Sequence, residues 1–422
     1  MDRIITAPPS RRSEGRRRVR RLGVLRAIVV AAVLAFPGVV AVGVPAALAA
    51  PDAATCALQY LAAQQGANGA VVAPGVTEDF IFGAAAVGFD PTTLAASGGA
   101  SAYDYLAAHA AAVAGDAGAA SKLSLAVLVG RLDPGAFGGQ DLLADLAATY
   151  HPATGAYGDG QTFPQALAIL ALAAAGDAGH PLPAAAVTHL KDVQNTDGSW
   201  NYLGVKDAPG GSDTNSTAIA IQALVAAGVP KTDPSITAAL ASLHAQQLAD
   251  GGFPYSDAFG PPASDPDSDA IVIQALVAAG QDPAGAAWTK GGHTPRQNML
   301  TFRDAATGGF TYPGNPGPDA FTTSQVPAGL AGVPFPGNRG WTAGAKLPSG
   351  TCAAVAPSPS STARPSPSGS GGTRPGVTPP STSSEAGARS GEAPTGAAAL
   401  IVLIFAVALL VATRSWARRT SR

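Results

Sequence analysis

Four loop-to-helix junctions in this chain of 422 residues carry polar or aromatic-flanked acidic groups at one repeated phase: Gln161, Asp213, Asp265 and Asp319. Two residues later stand Phe163, Asn215, Asp267 and Phe321. The most acidic of the four junctions reads Asp265-Pro-Asp267-Ser-Asp269. Aromatic residues fall nearby at Tyr157, Trp200, Tyr202, Phe253, Tyr255 and Tyr312. A few placed polar groups among apolar walls are what a large organic ligand needs. Asp, Asn, Ser and Thr at the head of an apolar run are also what a helix N-terminus needs, because its first N–H groups have no partner within the helix. Both readings stay open at these positions. Other chemistry finds less footing. The six histidines show no metal-ligand spacing, and the two cysteines stand too far apart for a Cys-x-x-Cys zinc pair. No Ser-His-Asp or paired-carboxylate glycosidase arrangement can be argued, and no metal site is expected.

The elements that must position these groups are written as a repeat. Gln194-Asn-Thr-Asp-Gly-Ser-Trp200 leads into an apolar run from Asp213 to Leu224, and Gln247-Leu-Ala-Asp-Gly-Gly-Phe253 leads into one from Asp265 to Leu276. The Gly-x-aromatic step recurs as Gly155-Ala-Tyr157 and Gly308-Gly-Phe310, with a degenerate copy at Gly69-Ala-Val71 preceded by Gln65. Gly176, Gly228 and Gly280 follow their apolar runs where C-capping glycines belong. The pattern predicts six units of helix, Gly-turn, loop and helix, starting near Cys56, Ser101, Asp141, Ala186, Ile236 and Pro295. One such unit cannot bury its apolar face alone, so the units must stack. Runs such as Ala166–Ala175 are apolar nearly all round and predict buried helices.

The Gln-x-x-x-Gly-aromatic motifs at Gln194–Trp200 and Gln247–Phe253 resemble the repeat of the squalene cyclase and prenyltransferase superfamily, over about Cys56 to Phe335. The resemblance implies an all-α (α/α)6 toroid of six helix-pair repeats. Its pocket lies at one end of the axis, ringed by the junctions named above. It does not fix a function. In class II terpene cyclases the middle Asp of Asp-x-Asp-Asp protonates an alkene, which would make Asp267 the acid. Ser268 stands where the second paired carboxylate belongs, and Asp213-Thr-Asn215 is the same element without the acid. The zinc-binding set of protein prenyltransferases and the Cys-Gly-Glu-Gln of complement thioester domains are both missing. The cobalamin carriers transcobalamin and intrinsic factor share the fold, with a small β-domain that has no counterpart after Phe335.

The ends of the chain suggest export. Nine arginines in the first 26 residues, an apolar run and Ala47-Leu-Ala49 read as a signal peptide over 1–49. The toroid is expected over 50–352, a disordered Pro/Ser/Gly-rich stalk over 353–395, a transmembrane helix over 396–413 and a basic cytoplasmic tail over 414–422. Glu392-Ala-Pro-Thr-Gly396 resembles a sortase signal with Glu392 in place of its leading Leu. Between Ala50 and Cys352 there are 10 Lys and Arg against 24 Asp and Glu, a net of −14, which disfavours nucleic acid as a partner. In a ring closed on itself Cys56 and Cys352 would meet, and export permits their disulfide. The expectation is a membrane-anchored cell-surface binding protein. It would capture a corrinoid such as cobalamin, or another large apolar or amphipathic small molecule, with a surface protein or importer as a further partner. The alternatives are a terpene cyclase-like enzyme using Asp267 and a wall-associated module binding protein or glycan. Gln161, Phe163, Trp200, Asp213, Asn215, Phe253, Tyr255, Asp265, Asp267, Asp269, Tyr312, Asp319 and Phe321 are the candidate ligand contacts.

Overall fold

The structure, a computed structural model, describes residues 52–176, 179–256, 261–335, 340–350 and 352. The expected leader, stalk, membrane span and basic tail lie outside these residues. Among the described residues no helix is long and apolar enough to cross a membrane. Twelve α-helices follow one another along them: α1 (Ala53–Ala62), α2 (Pro74–Val87), α3 (Ala102–His109), α4 (Ala117–Val129), α5 (Leu142–Ala148), α6 (Thr162–Ala175), α7 (Ala184–Asp192), α8 (Thr214–Ala226), α9 (Pro234–Gln246), α10 (Pro266–Ala278), α11 (Pro295–Met299) and α12 (Ala320–Ala331).

The even-numbered helices are the apolar ones. Every residue from Thr214 to Leu224 in α8 and from Pro266 to Leu276 in α10 is buried. A helix buried on all sides needs neighbours on all sides, and these helices find them by standing in a ring. α2 packs on α4, α4 on α6, α6 on α8, α8 on α10, α10 on α12, and α12 returns to α2. The odd-numbered helices form the outer layer, each against the inner helix that precedes it in the chain, with α1 against α12 and α2. All six units expected from the sequence are present, with α1, α3, α5, α7, α9 and α11 at or beside the expected starts.

The turn between outer and inner helix explains the Gln-Gly-aromatic motif. The sequence suggests that the glutamine bonds free N–H groups of the next helix, but it donates to carbonyls instead. The Gln247 amide reaches the Gly251 carbonyl of its own turn at 2.9 Å and the Trp288 carbonyl of the next unit at 2.8 Å. Gln194 does the same with Gly198 and Ser235, and Gln65 with Gly69 and Leu94. The next outer helices already have caps, Asp233 on α9 and Thr294 on α11, so the carbonyls are what the tight turn leaves unpaired. Gly251 has φ +86°, and a Cβ there would run into the His293 backbone carbonyl, so only glycine fits. In the third unit His151 stands at the glutamine position. There Gln165 of α6 takes over, donating to Gly155 and Ala186 carbonyls at 3.1 and 3.0 Å. This unit also carries a two-stranded antiparallel sheet, β1 (Tyr150–His151) against β2 (Ala156–Tyr157).

The ring is sealed where its ends meet. Gly308 lies so close to α1 that a Cβ would stand 2.9 Å from the Cys56 carbonyl. The Tyr60 hydroxyl donates to the Pro318 carbonyl at 2.8 Å. The segment after α12 then crosses the C-terminal ends of the inner helices. Gln274 donates to Val333 O at 2.8 Å, Gln222 accepts from Phe335 N at 2.9 Å, and the Trp341 indole N–H donates to Val129 O at 2.8 Å. The segment ends at Cys352, which is disulfide-bonded to Cys56.

Because Gln247 is buried and satisfies two buried carbonyls, Gln247→Ala should cost about 1–3 kcal/mol of stability. Gln64→Ala, removing one exposed 3.3 Å contact, should cost almost nothing. Urea denaturation of both variants checks this.

Candidate active site

The heads of the inner helices lie together at one end of the ring. Thr162, first in α6, donates from N and Oγ1 to the carbonyls of Tyr202 and Asn201, in the segment leading to α8. Thr214, first in α8, binds Tyr255 and Pro254 in the segment leading to α10 in the same way. This periodicity allows each side chain at the junctions to be assigned by comparison with its repeat counterparts.

Asp213, Asp265 and Asp319 are N-caps. Each accepts the N–H three residues on, from Ser216 at 2.5 Å, Ser268 at 2.8 Å and Thr322 at 2.8 Å. The residue four after each cap accepts the backbone N–H of the turn aromatic. Thr217 takes it from Trp200 at 3.0 Å, Asp269 from Phe253 at 2.7 Å and Thr323 from Phe310 at 2.9 Å. Asp265 and Asp269 therefore do what Asp213 and Thr217 do in the preceding repeat. Asp267 has no such task. Both its carboxyl oxygens are buried without a hydrogen-bond partner.

Asp267 faces a cavity of about 450 Å³ on the ring axis, part of it open to solvent. Asp79 and Phe82 of α2, Lys122 of α4, Phe163 and Leu167 of α6 and Ile271 of α10 share its walls, with Ser324 of α12 and Phe335 from the crossing segment. Phe335 meets Phe82 edge to face, ring centres 5.1 Å apart. The Lys122 ammonium lies 2.8 Å from Asp79 Oδ1 and donates to Gly75 O at 3.0 Å. Asp79 Oδ2 is buried and unpaired.

The electrostatics follow from burial. Asp267 is held well above the ordinary carboxylate range, first by desolvation and then by the charges of Asp265, Asp319, Asp79 and Asp269. Burial also raises Asp269, against the pull of the Phe253 N–H, and moves Asp265 up to about 6 and Asp213 up to about 7. Asp79 is pushed up by burial and pulled back by the Lys122 charge and hydrogen bond. Beside it, Glu78 is pushed up to about 8 by burial and by Asp79, against Lys122.

Of the positions expected to bind, Phe163 and Asp267 line this cavity and the others do not. Asp213, Asp265, Asp269 and Asp319 serve the helix heads. Gln161 holds the N-cap position of α6 without a side-chain cap bond. Asn215, the counterpart of Asp267, is buried and accepts from the Thr214 hydroxyl at 3.3 Å. Trp200 and Phe253 are fully buried under their turns, Trp200 donating its indole N–H to Leu190 O at 2.7 Å. Tyr255, Tyr312 and Phe321 are half-buried. Burial first raises the Tyr255 and Tyr312 hydroxyls, followed by Asp213 acting on Tyr255, and by Asp265 and Asp267 acting on Tyr312. Among the described residues no cluster of three or more His, Cys, Asp or Glu could hold a metal ion. Residues 340–350 run back across the ring.

Sequence reasoning missed Asp79, Lys122 and Phe335. The signal for the first two was present. Charged residues inside α2 and α4, whose other residues are apolar and buried, are expensive unless paired or functional. Nothing local marks Phe335, which reaches the cavity only through the ring's closure.

No protein-family profile and no curated protein matches the sequence. Similar solved structures include the ent-copalyl diphosphate synthase from Streptomyces platensis, at 18% identity and TM-score 0.40, covering 61% of this chain. The chain spans about half of that protein, 49%. Another is the type II terpene cyclase MstE from Scytonema, at 14% identity and TM-score 0.46, covering 66% of this chain and 96% of the other. Likeness of this degree concerns helical architecture alone.

The raised Glu78 carboxyl has a measurable consequence. Between its ordinary value of 4.5 and about 8, the folded chain keeps a proton that the unfolded chain has lost. Its contribution to stability is thus complete below pH 4.5 and declines as pH rises to about 8. Glu78→Gln should therefore melt progressively higher than wild type as pH rises through that window, and calorimetric midpoints across it check the trend.

Proposed function

We propose that the axial cavity protonates a carbon–carbon double bond of an apolar, isoprenoid-like molecule, with Asp267 as the general acid. The observation that carries this reading is a buried carboxyl group with no hydrogen-bond partner, facing a cavity lined in part by aromatic rings, where burial and neighbouring carboxylates raise its proton affinity. The repeat gives that residue no structural task. A carboxyl kept neutral by burial holds a proton at neutral pH, and only a basic or electron-rich partner in the cavity can draw it off. Phe82, Phe163 and Phe335 offer ring faces to a developing carbocation.

Ser268 does not weaken the acid. Its hydroxyl donates to Asp265 Oδ2 at 2.9 Å, and Asp267 is kept neutral by burial and by four surrounding carboxylates. The sequence resemblance, in which the middle Asp of such a motif protonates an alkene, points to the same residue. We also propose that the protein works in an oxidising compartment, in keeping with the Cys56–Cys352 bond and the expected export signal. We further propose the C-terminal membrane tether read from the sequence over 396–413.

The test is turnover in D₂O of a panel of linear isoprenoids, as hydrocarbons, alcohols and diphosphates. Wild type should place one deuterium on carbon in the product. Asp267→Asn, nearly isosteric, should fold with a similar melting point and lose at least about 10²-fold in rate. Equal rates in the two proteins would overturn the assignment.

A further inference from the structure

The same cavity holds a second buried carboxyl group with a different neighbour. Asp267 has no cation beside it and lies among other carboxylates, while Asp79 has the Lys122 ammonium 2.8 Å from one oxygen. The ammonium is buried, fixed by Gly75 O at 3.0 Å, and cannot turn away. The ion pair occupies Asp79 Oδ1, and Oδ2 accepts no hydrogen bond, because the nearby Ser324 hydroxyl donates to Phe321 O at 2.8 Å. A purely structural ion pair would satisfy both oxygens, since an unpaired buried carboxylate oxygen is costly.

Resting on the protonation reading above, we infer that Asp79 is the base that ends the reaction, taking a proton from the carbon next to the cation through its free Oδ2. The steps balance. The Asp267 O–H bond breaks, a C–H bond forms at one alkene carbon, and the π pair is spent, leaving a cation on the substrate. Asp79 then removes a proton from the adjacent carbon, and that C–H pair becomes the new double bond. The substrate is isomerised or cyclised with no change in composition and no co-reactant. Asp267 is left ionised and Asp79 protonated, and proton exchange with solvent through the open side of the cavity restores both. The product is therefore an alkene and not an alcohol.

The experiment separates Asp79 from Asp267. Asp79→Asn leaves Lys122 buried and unpaired, which can unfold the chain. The double variant Asp79→Leu/Lys122→Met replaces the pair with apolar groups of similar volume and avoids that. The probes are N,N-dimethylgeranylamine, cationic at neutral pH, and geranyl methyl ether, its neutral counterpart of similar length. Calorimetry should show wild type and Asp267→Asn binding the amine at least about tenfold more tightly than the ether, and the double variant losing that preference while still binding the ether. On any isoprenoid that wild type turns over, the double variant should still place deuterium on carbon but release more alcohol from water capture. An unchanged amine preference in the double variant, or none in wild type, would overturn Asp79 as the base and leave the role of Asp267 standing. Failure of the protonation reading would show separately, as wild-type turnover indifferent to Asp267.

Discussion

Closure of the inner ring is the constraint on which the rest depends. Each inner helix is buried on nearly every side, and the ring that buries them closes where α12 packs against α2. No helix propensity replaces that contact, because most helical stability in a folded protein comes from packing. The close fit of Gly308 on Cys56 and the segment crossing the ring to Cys352 serve the same closure. Closure also creates the axial cavity, and with it a place where any polar side chain must justify its desolvation. The cavity's few polar residues are therefore informative in a way that surface residues are not.

The repeat supplies the means to interpret them. Asp265 and Asp269 have counterparts that perform the same hydrogen bonds elsewhere, one as Asp213 and the other as Thr217 and Thr323. A carboxyl that can be exchanged for a threonine hydroxyl is architecture. Asp267 is what is left when the repeat's requirements are subtracted. The same subtraction identifies Asp79 and Lys122, which no other unit reproduces as a pair.

Much of the fold was legible because repetition makes weak local signals agree. The second unit, faint in sequence, still begins at Ser101, which caps α3 in a reciprocal box with Asp104. Individual side chains were less legible. Trp200 and Phe253 stand next to polar residues in sequence, which places them at a mouth, but in space they lie under the turn, where their backbone N–H groups are held by the inner helix. The glutamines pointed to N–H groups by analogy with capping, whereas the turn presented carbonyls. Phe335 and the pairing of α2 with α4 at Asp79 and Lys122 depend on distant contacts that periodicity does not encode.

The account stands on one physical state, a neutral Asp267 carboxyl in an apolar cavity at neutral pH. Infrared difference spectroscopy between wild type and Asp267→Asn reads that state directly, without knowledge of the substrate. The account predicts a carbonyl stretch of a protonated carboxylic acid in wild type, missing from the variant and persisting well above the ordinary carboxylate range. A difference spectrum showing only the ionised carboxylate at neutral pH would contradict it.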